Sequence, residues 1–62
     1  MEVKCYIVEF NSALDGLFEI LEDHGFNSYN YRLSSIFGYV EIGIWCYPYQ
    51  IRELENIMKW YV

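Results

Sequence analysis

Asp15, Glu19 and Glu22 recur at spacings of four and three residues, and Asp23 follows directly. On a helix, at about 100° per residue, these four carboxylates fall within a sector of roughly 100°. No Lys or Arg lies in the surrounding segment to neutralise them. Glu22 and Asp23 also fall near the expected helix C-terminus, where negative charge opposes the dipole by some tenths of a kcal/mol each. A ridge of uncompensated carboxylates has one evident chemistry. It attracts cationic surface, including the basic grooves that other proteins use to hold nucleic acid. The competing reading is an ordinary solvated helix face.

The other reactive groups are sparse. Glu9, Glu41 and His24 are the plausible acid–base side chains, and none stands in a catalytic spacing. No catalytic residues are assigned. Cys5 and Cys46 fit free thiols on adjacent strands facing the core, with a disulfide as the alternative. One histidine and no close Cys pair give no metal site, and no cofactor motif is present.

The composition narrows the partners. The net charge is −5 from nine acidic and four basic residues, too few cations to displace counterions from phosphate. Direct nucleic-acid binding and attachment to an anionic membrane are therefore disfavoured. No apolar run approaches the ~18 residues of a membrane span, and Glu2, Lys4 and Glu9 interrupt any signal-peptide core. The two cysteines suit a reducing, cytoplasmic setting. The chain has 62 residues, 55% hydrophobic and 21% aromatic, which suits one folded domain spanning 1–62. Seven Tyr, four Phe and two Trp exceed what so small a core can enclose, so some rings belong at a surface that meets a partner.

The elements that must position these groups can be read from periodicity. Tyr39 to Cys46 alternates, with Val40, Ile42, Ile44 and Cys46 on one side and Tyr39, Glu41, Gly43 and Trp45 on the other. Gly43 suggests a bulge or a close approach there. Val3 to Phe10 is a second strand, and Lys4 directs Cys5 and Ile7 inward with Tyr6, Val8 and Phe10 outward. A helix over about 12–24 follows from Leu14, Leu17, Phe18 and Leu21, opened by a Ser12/Asp15 capping box and closed by Gly25. Asn27 to Leu33 forms a Tyr-rich strand, and residues 34–38 form a turn. A last helix starts at Pro48 and runs to the end of the chain, with Glu55 and Lys59 as an ion pair and Trp60 partly exposed.

The order β-α-β-β-α predicts an α+β fold: a three-stranded antiparallel sheet of order 1-3-2, with two helices on one face. This topology resembles a truncated ferredoxin-like fold without its last strand. The resemblance is of topology and implies no function. It leaves an uncovered first-strand edge and an uncovered sheet face carrying Tyr6, Val8, Tyr39, Trp45 and, with them, Tyr29 and Tyr31. Such a face could also stack bases, but the flanking cations for that are missing.

The expected function is a small acidic protein-binding module. Asp15, Glu19, Glu22 and Asp23 would steer it, and Tyr6, Tyr39, Trp45 and Trp60 would anchor it. In size and charge it resembles phage or mobile-element inhibitors of host nucleic-acid-handling proteins. The expected partner is a basic protein surface. The alternative is a homo-oligomeric structural or ligand-binding domain, a homodimer formed through the aromatic sheet face.

Overall fold

Val40, Ile42, Ile44 and Cys46 alternate along one strand, and all four are buried in a single cluster. That strand is the centre of the sheet. The structure, a computed structural model, describes every residue from Met1 to Val62. Its elements are β1 (Glu2–Glu9), α1 (Ala13–Asp23), β2 (Tyr29–Leu33), β3 (Tyr39–Cys46) and α2 (Ile51–Met58). The sheet is antiparallel with order β1-β3-β2. Leu14, Leu17 and Leu21 of α1 join Leu54, Ile57 and Met58 of α2 in the same core, so both helices cover one face.

Local chemistry sets the ends of α1. Asn11 Oδ1 accepts the Ala13 N–H at 2.8 Å, while Ser12 is already helical and makes no capping bond. The cap is thus an Asx turn one residue earlier than the Ser12/Asp15 box. At the other end Gly25 has φ +87°, the left-handed region that favours glycine. The Phe26 N–H then reaches the Leu21 carbonyl at 2.8 Å, and the Gly25 N–H reaches Glu22 at 3.0 Å. These two bonds fold Phe26 back into the core, where it is 1% exposed.

Four expectations need correction. First, β1 faces the other way. Val8 is buried and Tyr6 packs on the core, whereas Cys5 and Ile7 are exposed on the open side. Lys4 shares the helix side because an edge strand lets its aliphatic stem lie along the sheet while the ammonium leaves past the edge. Second, only Cys46 faces the core; Cys5 lies on the opposite face, so both thiols are free as expected and the alternative disulfide between them is excluded. Third, the ladder runs unbroken through Gly43, opposite Cys5 on one side and Asn30 on the other, so there is no bulge. A Cβ there would meet the Asn30 side chain at 3.1 Å, which is the close approach. Fourth, Pro48–Gln50 is a 3₁₀ turn and α2 ends at Met58, short of the chain end. Lys59 leans over the Trp60 ring at 5.4 Å and makes no ion pair with Glu55.

Candidate protein-binding surface

On α1 the core-facing Leu14, Leu17 and Leu21 fix the opposite sector as the outer one. Asp15, Glu19, Glu22 and Asp23 all lie in it, and all are exposed. The ion pairs of the molecule are His24–Glu53 at 2.6 Å and Arg32–Glu41 at 2.8 Å, so none of the four α1 acids has a cation partner. The ridge therefore exists as the sequence implies.

The aromatic surface is rearranged. In the register Tyr29 faces Ile44, Tyr31 faces Ile42 and Leu33 faces Val40, so these side chains lie on the helix side. There Phe18 of α1 stacks on Tyr29 at 5.1 Å and on Tyr31 at 5.4 Å between ring centroids. Of the rings expected on the open face, Tyr39 and Trp45 are there and half-exposed, with Val3, Cys5 and Ile7 beside them. Tyr6 is not an anchor on that face, because opposite Ile42 it lies on the helix side, half-buried against the core. The open face also carries Arg32, whose Nε and Nη2 both donate to Glu41. Its centre is therefore polar, unlike the aromatic platform that strand alternation suggested.

A different apolar strip takes its place. A groove of about 420 Å³ runs between Phe10, Leu14, Asp15, Phe18 and Tyr31, directly beside the acidic ridge. Phe10 also borders a second hollow with Leu33, Ile36, Phe37 and Tyr39. The two hollows join through Phe10 into one exposed strip along the β2 flank. Phe37, at the tip of the β2–β3 turn, is fully exposed. Gly38 has φ +85°, and the Ser34 hydroxyl accepts the Ile36 N–H at 2.8 Å, which holds that turn. Sequence reading passed over Ile36 and Phe37. The signal was two large apolar residues inside a turn, where polar ones are usual. On its other flank the ridge meets exposed Ile20, and exposed Trp60 stands by Ala13 at the start of α1.

The acid–base groups do not converge. Glu9 and Glu41 belong to the open sheet face, while His24 ends α1 and contacts Glu53 of α2. No group of three or more His, Cys, Asp or Glu residues is placed to hold a metal ion.

Two hydroxyls are perturbed. Burial first, then the Glu55 carboxylate and Cys46, push Tyr6 above its ordinary value of 10.0. Burial first, then the Glu22 carboxylate, push Tyr29 up likewise. The folded state thus favours the neutral phenol. That contribution is complete below pH 10.0, the unfolded value, and is lost as pH rises through the higher folded value. Urea midpoints should hold steady up to about pH 10 and then fall. Tyr6→Phe with Tyr29→Phe should flatten the fall, and an unchanged alkaline slope would contradict the assignment. No helix is long and apolar enough to cross a membrane. Comparison with protein-family models, with curated proteins and with solved structures finds no match.

Proposed function

We infer that this chain is a non-catalytic protein-binding module whose α1 ridge and adjoining aromatic groove engage a basic protein surface. One observation carries the reading. A ridge of four carboxylates without a cation partner adjoins an exposed apolar groove through Asp15, which belongs to both. Apolar anchors ringed by charge are the usual anatomy of a protein interface. Arginine suits such a groove, because its guanidinium stacks on aromatic faces and pairs with carboxylates.

The reading extends to nucleic-acid mimicry. From Asp15 to Asp23 the helix rises about 12 Å, which places one charge per about 4 Å of axis. A single DNA strand carries one per about 3.4 Å. A small inhibitor that occupies the nucleic-acid groove of a host enzyme, as phage and mobile-element proteins do, would need this density. It would act in the host cytoplasm.

Capture of proteins from a cell lysate at low and high salt, with release by added duplex DNA, tests the reading. The expected capture is lost at high salt and competed by DNA. Glu19→Lys with Glu22→Lys should weaken it by about 10- to 100-fold at low salt, mainly through slower association. Salt-insensitive capture, or an unchanged affinity in the double variant, would reject electrostatic mimicry.

A further inference from the structure

Each residue of an antiparallel strand turns its N–H and C=O either toward its ladder partner or away from it, in alternation. Just past β1, the Phe10 N–H donates to the Gly38 carbonyl at 2.8 Å, so even-numbered residues of β1 bond β3. Val3, Cys5, Ile7 and Glu9 therefore present their main-chain groups outward. No hydrogen bond reaches that row. β1 is eight residues long and contains no proline or bulge. A regular edge of this kind fits another extended strand and little else.

Self-pairing about a two-fold axis at Cys5 fits this edge best. Val3 then lies opposite Ile7 of the second copy, and Cys5 lies opposite Cys5. These uncharged side chains, all exposed on the open face, cover one another. A two-fold axis at Lys4 would oppose two ammonium groups. One at Tyr6 would set Val3 against Glu9. With the axis at Cys5 no like charges meet, and Lys4 lies opposite Tyr6. Tyr6 packs on the helix side of the sheet, and the Glu55 carboxylate of α2 is among the charges that raise its pKa. Neither Lys4 nor Glu55 has an ion-pair partner within one chain. The axis brings each Lys4 toward the other copy's Glu55, twice over. Glu53, on the opposite flank of α2, binds His24 at the end of α1. α2 thus stands between the axis and α1, and the two acidic ridges point apart.

We propose that two copies of this chain associate through β1, antiparallel and centred on Cys5, to form one continuous six-stranded sheet. About six main-chain hydrogen bonds would form, two for each of the three outward pairs among Val3, Cys5 and Ile7. The dimer presents two α1 ridges at its far ends, and its formation does not depend on what those ridges bind.

Light scattering with size-exclusion chromatography at sub-millimolar concentration tests this. The expected mass is twice 7.5 kDa. Cys5→Lys places two ammonium groups across the axis and should raise the dissociation constant about 100-fold or more, while circular dichroism stays native. Lys4→Glu and Glu55→Lys should each weaken the dimer, and combining them should restore it. Oxidised glutathione, which takes up the two electrons and two protons, should join the copies through Cys5, and Cys5→Ser should prevent it. Cα atoms in such a pair sit about 5.5 Å apart, within disulfide range. A mass of 7.5 kDa at every concentration, a dimer indifferent to Cys5→Lys, or failure of the charge swap to restore association would overturn the proposal.

Discussion

Phe26→Ala should remove about 3–5 kcal/mol of stability, much or all of what a domain of this size has. The ring is 1% exposed and sits among the core residues of both helices and the sheet. Removing a buried Phe costs about 3–5 kcal/mol, as lost transfer energy and as a cavity that cannot close. A chain of this length has a total stability of about 3–9 kcal/mol, at 0.05–0.15 kcal/mol per residue. The loss therefore consumes much or all of the margin. Relaxation cannot relieve it, because Phe26 is held by the Gly25 turn and by its own N–H bond to Leu21. Urea unfolding followed by far-ultraviolet circular dichroism measures the effect. A loss below about 1.5 kcal/mol would mean that the ring does not close the core.

The facing of β1 predicts an equally large contrast between two neighbouring substitutions. Val8→Asp should abolish folding, because a carboxylate at a position 2% exposed has no partner and loses its hydration. A cost above about 4 kcal/mol is expected. Cys5→Asp should cost no more than about 1 kcal/mol, since Cys5 is exposed on the open face directly opposite Gly43, where a carboxylate keeps its hydration. Thermal unfolding at low protein concentration, where association does not contribute, compares the two. The reverse ranking would place Cys5 and Ile7 under the helices and Val8 in solvent.

The contrast also marks where sequence reading stops. Both sides of β1 are partly apolar: Val3, Cys5 and Ile7 against Tyr6, Val8 and Phe10. Alternation then identifies a strand without identifying its inner face. Lys4 was a misleading guide, because at a sheet edge a lysine can share the core side. β2 poses the same problem. Its register against β3 sends Tyr29 and Tyr31 under Phe18, and no feature of the segment Asn27–Leu33 announces that. The apolar strip brings Phe10 to Leu33 and Phe37 from a distant part of the chain, so beyond the two large apolar residues in the turn no sequence pattern marks it.

What the amino-acid order by itself determined was local and periodic. The α1 apolar stripe, its acidic ridge, the Gly25 stop and the alternation of β3 each follow from spacings within a dozen residues, because helix and strand geometry map such spacings directly onto faces. The 1-3-2 order followed as well, since a β-α-β-β-α chain of this length has few ways to connect. Tertiary structure alone decided which side of the edge strands is covered and which aromatic rings meet solvent. Those outcomes depend on cross-strand register and on helix placement, and both are set by contacts between residues far apart in the chain.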